Sequence, residues 1–246
     1  MADALSRTSR GRSVFTGIVV LVVLAILLSL GTWQVQRLYW KEALIAELAD
    51  RIHQPPVPLV DMEALKAGGG DVDYRPMQAT GRFDHTRERH FLATWQGQSG
   101  FDVYTPLVLA DGRNLLVNRG FVPYDKKDPQ TRVAGQVSEE VTVTGLARSK
   151  LDAKPSFMVP ENDPKKNIFY WKDLDVMASS TGLDAGKVVP FFLDADAKAN
   201  PGSLPIGGVT IVEMPNSHLQ YAVTWYGLAA VLLIITAVSW RRSRKG

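Results

Sequence analysis

Val14–Trp33 reads VFTGIVVLVVLAILLSLGTW, and Tyr221–Trp240 reads YAVTWYGLAAVLLIITAVSW. Neither stretch contains a charged residue, and each is 20 residues long. That is the length an α-helix needs to cross a hydrocarbon core of roughly 30 Å. A lone spanning segment must satisfy its backbone polar groups internally, which in lipid means a helix. Both stretches are therefore predicted transmembrane helices, and residues 34–220 between them form one extramembrane region.

Orientation follows the Lys and Arg residues that flank each span. Arg7, Arg10 and Arg12 precede the first span and Arg37, Lys41 and Arg51 follow it, which is a tie. Arg241, Arg242, Arg244 and Lys245 follow the second, whereas residues 201–220 before it hold no Lys or Arg. This imbalance places both termini in the cytoplasm and the central region outside. The whole-chain net charge is +3, yet the loop between the spans carries 21 basic and 24 acidic residues. The positive excess thus belongs to the tails and does not point to nucleic acid as a partner. The first apolar run exceeds the 7–15 residues of a signal-peptide core, and no A-x-A site follows it. A tail of 13 residues is short for a transit peptide, so the expected location is a bacterial inner membrane with the central domain periplasmic.

Gln34–Ile52 (QVQRLYWKEALIAELADRI) continues the first span as a helix, with Leu38, Ile45, Leu48 and Ile52 at helical spacing and Pro55-Pro56 as its stop. This apolar stripe is expected to pack on the outer domain. Beyond it the sequence alternates as strands over Tyr74–Phe83, Glu88–Trp95, Phe101–Leu109, Asn114–Val122, Glu139–Ala147, Val188–Leu193 and Gly208–Met214. Asp111-Gly112 marks a hairpin turn, and one helix is predicted at Leu174–Ser180, closed by Gly182. The fold class is an α+β membrane protein, with two transmembrane helices flanking a mainly antiparallel barrel- or sandwich-like domain. Its segments are a tail (1–13), a span (14–33), a helical extension (34–54), a β-rich domain (55–220), a second span (221–240) and a basic tail (241–246).

The chain has no cysteine, which removes disulfides, thiolate catalysis, thiolate zinc sites and c-type haem attachment. G-x-S-x-G, H-E-x-x-H, Walker A and G-x-G-x-x-G are all missing. Ser149-Lys150 raises a Ser–Lys membrane peptidase, but adjacency in sequence does not make a nucleophile–base pair. Of the four histidines, His85 and His90 flank a hairpin turn and read as polar surface. His53 sits at the end of the long helix, where a cation complements the dipole.

His218 is the fourth, in Pro215-Asn216-Ser217-His218-Leu219-Gln220-Tyr221 at the mouth of the second span. Ser217 and Gln220 have capping-box spacing, which makes His218 the first helical residue. The positive end of the helix dipole disfavours imidazolium there, and a neutral imidazole is a competent haem-iron ligand. Tyr221, Ala222, Trp225, Ala229 and Leu232 follow down that face, while Trp33, Gln34 and Arg37 reach the same depth on the first span. Arg37 is suited to pair with a carboxylate or propionate. The same residues also read as an interfacial aromatic belt, a close helix–helix seam and a snorkelling arginine. The residues alone do not choose between the two.

In matching order over nearly the whole chain, several blocks resemble the Surfeit locus 1 family of cytochrome c oxidase assembly factors. They are Gly31-Thr32-Trp33-Gln34-Val35-Gln36-Arg37-Leu38 with Trp40-Lys41; Tyr74-Arg75-Pro76 with Gly81-Arg82-Phe83; Val117-Asn118-Arg119-Gly120-Phe121-Val122-Pro123; Asn167-Ile168-Phe169-Tyr170-Trp171; and Pro215 through Gly227. Phe121 stands where the family often has Trp. The resemblance implies a non-enzymatic factor for haem-copper cytochrome c oxidase that binds haem a transiently and aids its delivery to the catalytic subunit. His218 matches the family's implicated haem ligand. Tyr221, Trp225, Trp33 and Arg37 are the proposed pocket residues, with membrane lipid and haem-supply enzymes as further partners. Arg119 and Gly120 are read either as an oxidase contact or as a turn that needs glycine. The competing expectation is a membrane-anchored scaffold that stabilises an oxidase subunit without touching haem.

Overall fold

A computed structural model describes residues 2–210, 212 and 214–243, with 2–13 and 243 described by backbone alone. The chain divides into two compact units, Met1–Glu47 with Glu213–Gly246, and Leu48–Val212. Arg244 and Lys245, two of the charges that orient the second span, lie outside the described residues.

Helix α1 runs unbroken over Ala2–Ile52 and α4 over His218–Ser243. Both contain segments long and apolar enough to cross a membrane, Val14–Ile52 and His218–Arg242. The last turn of α1 belongs to the outer domain: Leu48 is buried, and Arg51 donates to Asp71 at 2.6 Å and to the Asp73 carbonyl at 3.1 Å. His53 Nδ1–H donates to the Ala49 carbonyl at 2.6 Å. That bond occupies one of the open carbonyls at the helix end, before Pro55-Pro56 bar further turns.

The outer domain comprises β1 (Val57–Pro58), α2 (Leu59–Ala67), β2 (Pro76–Phe83), β3 (Arg89–Trp95), β4 (Gln98–Leu109), β5 (Asn114–Pro123), β6 (Val141–Ser149), α3 (Leu174–Ser180) and β7 (Phe191–Ala195). The strand order is β1-β2-β6-β7-β5-β4-β3, and β4 pairs back with β2. Five strands, β2-β6-β7-β5-β4, therefore close a barrel, with β1 and β3 outside the ring. The neighbours are antiparallel except β1–β2 and β5–β7. Closure pairs both sides of the five ring strands and leaves only β1 and β3 as sheet ends.

Alternation fills the barrel. Met77 and Ala79, Leu107 and Leu109, Leu115 and Val117, Ala147, and Phe191 and Leu193 form one buried cluster, joined by Met62 of α2. A second cluster covers the outer face, where Tyr104, Leu116 and Phe192 meet Phe169 and Leu174, Met177 and Ala178 of α3. Burying each large apolar side chain is worth about 1.5–3 kcal/mol relative to leaving it in water. These two layers explain why β5 is buried on both sides along its length.

The strand expected at Gly208–Met214 is not formed. Residues 208–210, 212 and 214 lie in no strand, and 211 and 213 fall outside the described residues. The seventh strand is β1 instead, only two residues long. Helix α2 was not expected. It follows directly on Pro58, and its short amphipathic pattern is anchored by one fully buried residue, Met62.

Arg119 and Gly120 lie inside β5 rather than after it, so the reading as a strand-end turn is corrected. Asp102 faces Phe121 and Tyr104 faces Asn118, so Arg119 and Gly120 together oppose Val103 alone. This is a β-bulge in β5, and Gly120 adopts a φ of +118° there. Phe121 and Ile206 exchange two backbone hydrogen bonds of 2.8 Å across this point.

Candidate functional site

The mouth of α4 is built by its preceding loop. Asn216 Oδ1 accepts from the His218 amide at 3.3 Å, and the Ser217 carbonyl takes the Tyr221 amide at 3.2 Å. Ser217 thus stands at the N-cap position, but the side-chain acceptor is that of Asn216. His218 is the first residue of the helix.

The His218 ring is held by the first span. Its Nδ1 lies 2.7 Å from Gln34 Oε1, and Gln34 is buried. An amide oxygen only accepts, so Nδ1 carries the proton and donates. The Nε2 lone pair is then directed away from that bond and available to a metal. Donation from the second ring nitrogen to a fixed oxygen is the arrangement that orients ligating histidines and raises their basicity.

Below this bond the two helices touch. Gly31 lies against the Tyr226 ring, and a Cβ there would meet Cε1 at 2.8 Å. The Tyr226 hydroxyl donates to Thr32 Oγ1 at 3.1 Å, while Thr32 donates to the Leu28 carbonyl at 2.9 Å. Ala222 and Ala229 are each 2 % exposed. The small residues thus serve the close approach of two helices, and at this depth a macrocycle has no room between them. Any planar ligand of His218 has to lie against the outward faces of the pair.

The remaining predicted residues sit on those faces. Trp33 is 50 % and Tyr221 55 % exposed, Trp225 is half-buried, and Arg37 is spread over the Trp40 ring at 4.1 Å. Among the described residues, the rings of Trp33, Tyr221 and Trp225 make no stacking contact with one another. The structure therefore joins His218 to Gln34, and leaves Trp33, Arg37, Tyr221 and Trp225 as surrounding surface. Gln34 was visible in the sequence only as a residue of matching depth; its bond crosses 184 positions and has no local signal.

The outer domain holds a buried ionic cluster. Glu88 accepts two bonds from Arg132, at 3.2 and 2.5 Å, and lies 3.5 Å from His85 and 4.0 Å from Arg119. Arg119 donates to the Gly135 carbonyl at 2.5 Å and to Asn200 at 3.2 Å, over the Phe83 ring. At 2 % exposure Arg119 cannot meet a partner protein, so its reading as an oxidase contact is corrected. His90 is equally buried, not polar surface, and takes a bond from Asn167 at 2.9 Å on Nδ1. Burial alone would raise the Glu88 carboxyl, but His85 and Arg132 bring it down to about 2. Burial lowers His90 to about 4 against the pull of Glu88, and lowers Arg119 to about 10. On the opposite face, burial and then the neighbouring Asp194 raise Asp102 to about 7.

These shifts predict opposing pH dependences. A depressed His90 stabilises the fold above its unfolded value near 6.5, and this is lost as pH falls toward 4. A raised Asp102 stabilises below about 3.9, and this is lost as pH rises toward 7. Between roughly pH 4.5 and 6.5 the slopes cancel, each being about 1.4 kcal/mol per pH unit. Thermal midpoints of the full chain in detergent should be flat over that window. They should rise with pH in Asp102→Asn and fall with pH in His90→Gln; parallel behaviour of the two variants would contradict the assignment.

Lys150 Nζ pairs with Asp175 at 2.7 Å, so its amine is engaged away from a peptidase role with Ser149.

Comparison with known proteins supplies the family. The model described as SURF1 family matches residues 21–230, a span that contains both Gln34 and His218. Surfeit locus protein 1 of Gallus gallus is 41% identical over 231 residues, covering 87% of this chain and 70% of the relative. The Homo sapiens protein of that name is 41% identical over 230 residues, covering 86% and 73%. A SURF1-like protein of Drosophila melanogaster is 34% identical over 241 residues, covering 90% and 75%. With the match running from inside the first apolar helix, through the barrel, to inside the second, the chain belongs to the SURF1 family.

Proposed function

We propose that this chain is a non-enzymatic assembly factor for haem-copper cytochrome c oxidase, which holds haem a transiently through His218 and aids its delivery to the catalytic subunit. The observation that carries this reading is the His218 Nδ1–Gln34 Oε1 bond of 2.7 Å, which leaves Nε2 as a metal-binding lone pair at a helix mouth. Haem is the cargo, and its iron supplies the coordination chemistry. The chain's part is to present one oriented nitrogen, to offer Trp33, Tyr221 and Trp225 as apolar surface for the ring, and to hold Arg37 near the interface for a propionate. One protein ligand fits a carrier that must release what it holds. The proposed setting is a bacterial inner membrane, with both termini cytoplasmic and the barrel periplasmic.

The test is haem retention by the purified full-length chain, together with oxidase haem content in cells that carry each variant as their only copy. Gln34→Leu should keep both helices yet lose about 10–100-fold in haem affinity, the usual effect of removing the group that orients a ligating histidine. Oxidase haem content should fall with it. Oxidase assembled normally by a chain that carries no pigment would instead establish the scaffold reading.

A further inference from the structure

On the outer face of the barrel, Asp102, Asn118 and Asp194 stand in a row on β4, β5 and β7. Asn118 and Asp194 are partners across β5–β7, and the bulge at Arg119-Gly120 sets Asn118 opposite Tyr104, on the same face as Asp102. The three line a cavity of about 270 Å³, bounded on the side of β3 by Phe91 and Trp95.

Within this lining, which holds Asp102 and Asp194 beside Arg148 and Lys172, the charge pairing is uneven. Asp194 is 3 % exposed, and its Oδ2 takes Thr210 at 2.8 Å, Lys172 at 3.2 Å and Arg148 at 3.5 Å. Its Oδ1 has no partner, and neither has the buried hydroxyl of Tyr104, which sits opposite Asn118. Arg148 also serves Asp73, at 2.9 Å. Arg148 is thus shared between Asp194 and a carboxylate outside the cavity, Lys172 pairs with Asp194, and among the described residues Asp102 forms no ion pair. Burial, and then the charge of Asp194, raise its carboxyl, while Lys172 is the cation that eases it. A buried unpaired acceptor beside an unpaired carboxylate is costly. The aromatic walls beside an unpaired carboxylate suit a planar organic cation.

We propose that this cavity receives the guanidinium of an arginine presented by a partner protein, which pairs with Asp102 and supplies the donor that Asp194 Oδ1 lacks. The site borders the Ala93–Trp95 end of β3, beyond the Phe91–Phe169 bridge that covers the rest of this end strand. It is independent of the haem reading, because its residues lie wholly in the outer domain.

The test titrates the purified full-length chain in detergent with N-acetyl-arginine amide, followed by calorimetry. Saturable binding is expected, weakened at least tenfold in Asp102→Asn, which should melt no lower than the parent chain. The uncharged analogue N-acetyl-norleucine amide should not bind. An alanine peptide with one central arginine should bind at least as tightly as the amide, as a protein-borne source requires. Absence of saturable binding, equal binding by Asp102→Asn, displacement by magnesium, or exclusion of the peptide would each overturn the proposal.

Discussion

Gly120→Ala is expected to cost the outer domain at least about 4 kcal/mol, the range reserved for backbone strain and overpacking combined. A Cβ at this position would lie 1.8 Å from the Ile206 carbonyl oxygen, a backbone atom tied to Phe121 by paired hydrogen bonds. The φ of +118° adds strain of its own, since L side chains rarely adopt it. Relief would require breaking the Phe121–Ile206 bridge or undoing the bulge. For a domain of this size that cost lowers the thermal midpoint by about 8–16 °C. Gly97→Ala is the control: Gly97 also has positive φ, +80°, but nothing lies within 4 Å of its Cβ position. It should cost only about 1 kcal/mol. Equal losses in the two variants, read by melting of the full chain in detergent, would mean that the close approach at Gly120 is not what matters.

Glu88→Gln should have the second largest effect, about 3–5 kcal/mol, because it leaves buried charges without their partner. Arg132 and Arg119 are 5 % and 2 % exposed, and Glu88 is the carboxylate both of them face. Arg113→Gln breaks the Arg113–Glu63 pair, whose side chains are 39 % and 21 % exposed. That change should cost no more than about 1 kcal/mol, as exposed pairs do. The low value of Glu88, about 2, adds a pH signature. Its stabilisation is present above the ordinary carboxylate range and is lost as pH falls toward 2. Glu88→Gln should therefore flatten the acid limb of the melting curve as well as lower it. A variant within 1 kcal/mol of the parent would show that the cluster is not a structural staple.

What could be read in advance follows the physics of each element. The two spans and their continuation to Ile52 came from composition and 3.6-residue periodicity, signals that need no tertiary information. Leu174–Ser180 was legible from its short helical run before Gly182, and the structure adds a cap by Asp173, whose side chain accepts from the Val176 amide. Six strands came from alternation, though their closure into a barrel through the β2–β4 pairing leaves no mark in any one segment. Gly208–Met214 alternates as a strand does, but β7 already completes the ring. His85 and His90 looked like hairpin surface because their neighbours are polar, whereas in the fold His90 is buried and His85 half-buried beside Glu88 and Arg119, the latter 34 positions from His85. That Asp102 and Asp194 line one cavity depends on the strand order and on the bulge in β5, which sequence alternation cannot reveal. At the helix mouth His218 was visible from its position, while its partner Gln34 required the fold.

The central claim is that His218 presents Nε2 as an iron ligand, oriented by Gln34. It is tested most directly by titrating haem into the purified full-length chain, its His218→Gly variant, and that variant with added imidazole. The account predicts a Soret band that the variant loses and that free imidazole restores by occupying the vacated ligand position. A His218→Gly variant with an unaltered band would contradict it.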